Sequence, residues 1–389
     1  MISIVVLFLL LLLSVTYDIN GQVKNKDSWY NVMLVIFILI AGLRWRLGLD
    51  TPNYIEKYYY SVPNLNNFRF VDYWGASPLW TLMNSLLKTM GCRFYVLQLL
   101  HASIVNILIF KYIKKHSSYI FTSIFFYAIS CYLTFNMEIM RGVLSIVVCL
   151  FANDYIIEKR WIKGYVLYFV AFLFHIQTIV LFMVPLLFYL RFNRKGIAIL
   201  ICAYLFGFFI QEYLGDYIEL LNLADADSRI SNKAMAYAEN EKYMEGSGYL
   251  RAIVNLFLLL TAIWYLKRHN NVEVLKLEPV IMAGLVFNVL MINVFVAYRY
   301  TDYFKIPYAI FYSELFVCLI KDVKILKRSV SCVRTILLYL PLFYVLGRAI
   351  LKNIYRYYPY SSVIELSVDR NRESNYMKSE RPIADFNMY

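Results

Sequence analysis

Three stretches of this 389-residue chain carry side chains that could hold an oxyanion or move a proton. The first reads Gly42-Leu43-Arg44-Trp45-Arg46-Leu47-Gly48-Leu49-Asp50-Thr51-Pro52-Asn53-Tyr54. Two guanidinium groups, each a planar fork of donors suited to phosphate or carboxylate, leave an apolar run together. Asp50, which follows them, is a candidate base or their structural partner; anchoring of Arg and Trp at a membrane surface is the alternative reading. The second stretch is Asn136-Met137-Glu138-Ile139-Met140-Arg141, where a cation opens a helix against the macrodipole. Arg141 is either an oxyanion clamp or the ion-pair partner of Glu138. The third is His175, placed between two short apolar limbs. Its imidazole titrates near neutral pH and can take a proton from a hydroxyl; the alternative is a satisfied core histidine.

Further cations recur in one set of connecting segments. Arg229 sits in Ser228-Arg229-Ile230, Arg251 opens a later apolar run, and Arg356 sits among tyrosines. Arg299 precedes Asp302 and Tyr303 in Tyr298-Arg299-Tyr300-Thr301-Asp302-Tyr303-Phe304, where Asp302 at i+3 is a competing ion-pair partner. Tyr54, Tyr58, Tyr59 and Tyr60 belong to a set of 36 tyrosines. Such rings suit a membrane interface, and their faces and hydroxyls also suit sugars. HExxH, Walker A, GxSxG and Cys/His metal spacings are all absent from the sequence, so no cofactor and no metal is expected.

The elements that must position these groups are membrane helices. The chain is 61% hydrophobic and 17% charged. Its apolar residues fall in continuous blocks of about 15–22, the length needed to cross a bilayer. Inside lipid such blocks pair their own backbone only as helices, and the alternation of a β-barrel is missing. The expected fold is all-α: a polytopic helix bundle of about 12 segments, near 2–16, 30–43, 93–113, 118–135, 140–157, 163–174, 176–190, 196–213, 249–266, 279–298, 303–320 and 335–351. The run from Leu79 to Met90 is short and amphipathic and is expected at the interface. The first segment lacks a basic n-region and an A-x-A-like site, so it is expected to stay as a helix. Residues 1–352 form the membrane domain and 353–389 an extracytoplasmic tail. Cysteines 92, 131, 149, 202, 318 and 332 include no CxxC pair and are expected as small buried hydrophobes.

Sidedness follows from short basic loops. Lys111, Lys114 and Lys115; Lys159, Arg160 and Lys163; Arg191, Arg194 and Lys195; and Lys321, Lys324, Lys327 and Arg328 belong in the cytoplasm. Residues 163–191 are then too long for one ordinary crossing, which predicts a helical hairpin turning near His175. By alternation the segments 44–92, 136–139, 214–248, 299–302 and 352–389 lie outside. The candidate arginines gather there, which orientation alone does not require. The net charge of +13 therefore points to anionic lipid and an anionic partner, not to nucleic acid.

These residues resemble the EpsG family of bacterial membrane proteins, which are Wzy-like polymerases of exopolysaccharide, capsule or O-antigen. The resemblance runs along Gly42, Arg44, Gly48, Asp50 and Tyr54; Asn136 and Arg141; Phe174 and His175; Arg299, Tyr303 and Phe304; and Tyr358, Pro359 and Tyr360. The chain departs from it at Ser77-Pro78 where Glu-Pro is frequent, at Gly142 where Gln is frequent, and at Gln177 where Ser is frequent. The resemblance implies a metal-independent glycosyltransferase in the bacterial inner membrane with an outward-facing site. It would join oligosaccharide repeats carried on undecaprenyl pyrophosphate, with a flippase and a chain-length regulator as partners. His175 or Asp50 would be the base. Arg44, Arg46, Tyr54, Arg141, Arg229, Arg251, Arg299, Tyr303 and Arg356 would bind substrate. The alternatives are a transporter or flippase of the same lipid-linked sugar, and a membrane acyltransferase that modifies the polysaccharide.

Overall fold

The computed structural model describes residues 2–48, 50–207, 247–269, 271–292, 297–326, 360 and 362–364. Helix α1 (Ile2–Leu13) runs on through a π-helical turn to Ile19, and is followed by α2 (Lys26–Gly42), the short α3 (Thr51–Glu56) and α4 (Pro78–Thr89). Next come α5 (Phe94–His116), α6 (Ile120–Tyr127) with π-helical turns to Glu138, α7 (Met140–Ile157) and α8 (Trp161–Phe174). A 3-10 helix, Ile176–Met183, leads into α9 (Val184–Leu187), and α10 covers 194–207. Then follow α11 (Ser247–Arg268), α12 (Val272–Leu275), α13 (Glu278–Ile292), the 3-10 helix Ala297–Phe304 and α14 (Lys305–Leu326). The described residues form no strand; their one antiparallel bridge joins Arg44 to Ser362.

Among the described residues, three helices are long and apolar enough to cross a membrane: Phe94–His116, Met140–Ile157 and Arg299–Lys321. Five shorter apolar helices, Val5–Ile19, Ile120–Tyr132, Trp161–Phe174, Ile176–Leu187 and Glu278–Asn288, accompany them. This is a helical membrane protein. The expected segment at 335–351 lies outside the described residues. The amphipathic run at 79–90 does form a helix, α4, opened by Pro78 at its first turn, where a missing N–H costs nothing. It buries Trp80, Thr81, Asn84 and Ser85 on one side and leaves Leu86 and Met90 exposed on the other.

The hairpin at His175 is present. Helix α8 ends at Phe174, His175 takes an extended backbone (φ −152°, ψ 112°), and the returning limb packs Phe182 against Tyr168 and Tyr165 at 5.7 and 6.2 Å between ring centroids.

Segments assigned to one side of the membrane do meet at one end of the bundle. Lys114 pairs with Asp27 at 2.7 Å, and Asp154 of α7 joins Lys115 and His116 at the end of α5 at 2.7 and 2.9 Å. Cations in the last turn of α5 also complement its dipole. Lys267 reaches Glu278 at 2.9 Å, and buried Glu314 accepts from Ser117, the Ser118 amide and Asn271.

Near the opposite end, the buried amide of Asn136 ties the π-helical turns to α5. It accepts from Asn106 and donates to the Tyr132 carbonyl and to the Tyr127 hydroxyl, at 2.8, 2.9 and 3.0 Å. Each buried polar atom of this trio finds a partner, as burial in an apolar bundle demands. The trio fixes the turn from which α7 departs. The C-terminal segment also docks here. Tyr360 donates to the Ile40 carbonyl, and the Val363 amide to the Leu43 carbonyl, at 2.9 and 2.8 Å. Tyr360 and Val363 therefore tie the C-terminal segment to the end of α2.

Candidate active site

The loop between α2 and α3 is built around a buried arginine. Arg44, fully buried, donates to the carbonyls of Ala41 and Leu47 and to the sulfur of Met140, at 2.6, 3.3 and 3.4 Å. Gln98 holds the same loop through the Gly42 and Arg44 carbonyls at 2.8 and 2.9 Å. The Thr51 hydroxyl is placed against the carbonyls of Leu47 and Met137 at 2.6 and 3.0 Å, which fixes the start of α3. Gly48 has φ +98°, and a Cβ there would collide with the Met137 carbonyl, so the close approach of loop and turn needs glycine. His101 fastens the other partner of this junction. Its Nε2 lies 2.8 Å from the Met140 carbonyl oxygen, which makes Nε2 the donor.

These contacts surround a cavity of about 470 Å³. The loop and α3 bring Asp50, Asn53, Tyr54 and Lys57 to it. Helix α4 brings Trp80, Thr81 and Asn84; the start of α7 brings Arg141 and Gly142; the hairpin turn brings His175 and Gln177; and the 3-10 helix before α14 brings Arg299, Asp302 and Tyr303. Residues far apart in the chain thus meet because five separate elements converge.

Of the residues singled out in the sequence, the cavity collects Asp50, Tyr54, Arg141, His175, Arg299 and Tyr303. Arg44 and Arg46 do not line it. Arg44 is committed to the loop backbone, whereas Arg46 lies over the Trp45 ring at 4.9 Å, as an anchor would. Arg229 and Arg356 lie outside the described residues, and Arg251 is placed only as part of α11. Lys57, Gln177, Asn53, Trp80 and Asn84 also line the cavity and carry no role in the reading of the sequence. A helical reading of 51–57 could have found Asn53 and Lys57, which lie i, i+4 on one face. Nothing local marks Trp80 or Asn84, which are brought in by the tertiary packing of α4.

The ion-pair alternatives resolve geometrically. Asp302 pairs with Lys305 at 2.5 Å. Neither Arg299 nor Arg141 has an ion-pair partner among the described residues, and Nε of Arg141 is buried without a hydrogen bond there. Arg141, Arg299 and Lys57 therefore line the cavity alongside the amide-bearing N-terminus of α7, together with the carboxylates of Asp50 and the Lys305-paired Asp302. The excess positive charge and the helix end both favour a bound oxyanion. Burial, reinforced by the Arg141 guanidinium, holds the His175 imidazole down at about 4, so it is neutral near pH 7. Burial pushes the Tyr54 phenol above its usual value against the opposing pull of Arg141. The Tyr303 hydroxyl bridges Ser145 of α7 and Thr178 of the hairpin at 2.7 and 3.1 Å, so it braces two walls of the cavity.

The model of one family, EpsG, matches residues 28–362, which is most of the chain. The chain belongs to the EpsG family. Membership associates it with membrane-bound polysaccharide biosynthesis of the polymerase kind, and the match includes the docked C-terminal segment up to Ser362. No curated protein and no solved structure matches it. Within this EpsG protein, Arg141, His175 and Arg299 stand on three different elements of one cavity wall.

Proposed function

We propose that this EpsG protein polymerises oligosaccharide repeat units carried on undecaprenyl pyrophosphate, at a site open to the outer face of the bacterial inner membrane. The observation that carries this reading is the convergence of Arg141, Arg299 and Lys57 with His175 and Asp50 in one cavity at the end of the bundle away from the basic loops. The acceptor sugar hydroxyl attacks the anomeric carbon of a second lipid-linked unit. A carbon–oxygen bond to the acceptor forms, the bond to the pyrophosphate oxygen breaks, and the electron pair leaves with the lipid pyrophosphate. The hydroxyl proton passes to a base, for which Asp50 and His175 are the candidates. The leaving group is already a stable anion, so the step needs charge stabilisation more than a strong acid. Arginines and a helix N-terminus supply that without a metal ion. Trp80, Asn53 and Asn84 offer a face and amides to a sugar ring, and the apolar flanks suit the lipid chain.

The purified protein in lipid, given lipid-linked single repeats, is expected to produce a ladder of chain lengths, and to do so in the presence of a chelator. A transporter of the same substrate would move it without lengthening it. An acyltransferase would modify chains without joining them. Single repeats left unjoined in this assay would refute the polymerase reading.

A further inference from the structure

The two nitrogens of His175 stand in different surroundings. Nε2 lies 3.0 Å from Oε1 of Gln177. Nδ1 is buried with no hydrogen-bond partner among the described residues. An orphaned N–H inside a protein is less tolerable than an orphaned lone pair, so the proton of the neutral ring belongs on Nε2, donated to Gln177.

The local backbone arranges this. The extended conformation of His175 ends α8, and the Thr178 amide then donates to the His175 carbonyl at 2.9 Å. This first turn of the 3-10 helix folds residue 177 back beside the ring. On the opposite side α7 presents Gly142, where even a Cβ would sit 3.6 Å from Cδ2 and 3.9 Å from Nε2. No side chain of residue 142 therefore competes for Nε2. The charged groups facing the ring are Arg141 from α7 and Arg299 from the 3-10 helix before α14. Asp50, Tyr54 and Lys57 share the cavity from the α3 side, Asp302 is tied to Lys305, and α4 brings the neutral Trp80, Thr81 and Asn84.

We infer that Gln177 is a positioning residue that fixes His175 as an Nε2–H donor at the cavity, and that the acceptor hydroxyl gives its proton to Asp50. The inference rests on the polymerase reading. A base needs a lone pair that reaches the substrate, and in this tautomer the lone pair is on the walled-off Nδ1. Nε2–H can instead be shared between Gln177 and an oxygen of the departing pyrophosphate, adding a donor to the set formed by Arg141 and Arg299. The proton balance is closed by the Asp50 carboxylate, which becomes a carboxylic acid as the glycosidic bond forms.

The test uses the full chain in lipid with lipid-linked repeats, comparing Gln177→Leu and Gln177→Glu by polymer formed per amount of folded protein. Gln177→Leu is expected to lose about 10- to 100-fold, on the scale of removing the outer partner that orients a metal-bound histidine. Gln177→Glu keeps an acceptor for Nε2–H and is expected to retain most activity. Its carboxylate also favours the protonated ring. That ring still donates, so the acidic limb of the rate against pH is expected to stay where wild type has it. An acidic limb raised by about one pH unit or more in Gln177→Glu would mean that the neutral histidine is the base, and would overturn the inference. Unchanged specific activity in Gln177→Leu would overturn it too, as would Gln177→Glu falling as far as Gln177→Leu. A wild-type protein that joins no repeats refutes the polymerase reading itself, and this inference with it; that result is distinct because it precedes any variant.

Discussion

Replacing Arg141 by lysine separates a fork-shaped oxyanion clamp from a simple cation. Lysine keeps the charge at the start of α7 and loses the planar pair of donors. The fold has little reason to object. Arg141 is half-buried, has no ion-pair partner among the described residues, and carries a buried Nε that makes no hydrogen bond there. Removing it strands no carboxylate among them, and it removes an unsatisfied donor whose burial is itself unfavourable. The protein level in membranes is therefore expected to be unchanged. The reaction should respond differently. A single charge-stabilising contact in a water-poor site is worth about 2–4 kcal/mol to the transition state, or roughly 30- to 1000-fold in rate. The assay is polymer length and yield in a deletion strain, normalised to membrane protein, with a cell-free ladder as control. Near-normal polymer from Arg141→Lys would refute the clamp. So would rescue of Arg141→Ala by Glu138→Ala, because that is the behaviour of a structural pair with a stranded acid.

Asp50→Asn is expected to lower polymer formation by about 10²- to 10⁴-fold, the range for a lost general base, whereas His175→Gln, which keeps a donor, should lose far less; equal losses would contradict the division of roles. A cysteine at exposed Asn66 should react with an impermeant thiol reagent in intact cells and one at exposed Lys163 should not; the reverse pattern would invert the orientation and move the cavity to the cytoplasmic face. The folded ring of His175 titrates near 4 against 6.5 when unfolded, so the unfolded chain binds the extra proton between these values. Thermal stability in detergent should therefore decline as pH falls from 6.5 to 4, and His175→Gln should lack that component. A chain ending after Ile364 should keep its activity, while one ending after Asn353 loses the Tyr360 and Val363 contacts to the 40–43 backbone and should lose activity or membrane level; equal behaviour of the two would show the docked segment to be dispensable.

The helical class was legible because lipid allows so few backbone solutions that apolar block length alone is informative. The hairpin at His175 was legible from arithmetic on basic loops. Arg141, Arg299 and His175 could be picked out because a charge or imidazole beside an apolar helix needs a reason. Arg44 could not be separated from them by type or spacing. Its guanidinium turns inward to three acceptors, one of them Met140 nearly a hundred residues away, and only packing reveals that. Lys305 likewise settles the fate of Asp302 at i+3, in competition with Arg299 at the same spacing on the other side. Two equal spacings in sequence cannot show which pair closes. The neutral wall of α4 was illegible for another reason: Trp80 and Asn84 look like any interfacial helix residues until the helix is docked against α5 and α8.

The cavity contains a conflict that its layout resolves. The proposed pyrophosphate leaving group calls for concentrated positive charge, and Arg141, Arg299 and Lys57 line the cavity where the proposal seats it. The same charge disfavours protonation of any imidazole beside it, because a second cation is repelled in a poorly solvated pocket. His175 is in that position, and its depressed basicity follows from the burial and the arginine that make the site attractive to an anion. The proposed reaction also needs a proton acceptor on the acceptor-sugar side, and the proposal gives that part to the Asp50 carboxylate. Asp50 is exposed, stands at the cavity edge on the α2–α3 loop, and is carried by a backbone pinned through Thr51, Arg44 and Gly48. Two titratable groups held in unlike environments are the ordinary means by which one site stabilises a leaving anion and accepts a proton at the same pH. The buried contacts of Arg44, Thr51 and Gly48 pin the α2–α3 loop that carries Asp50 to the cavity edge.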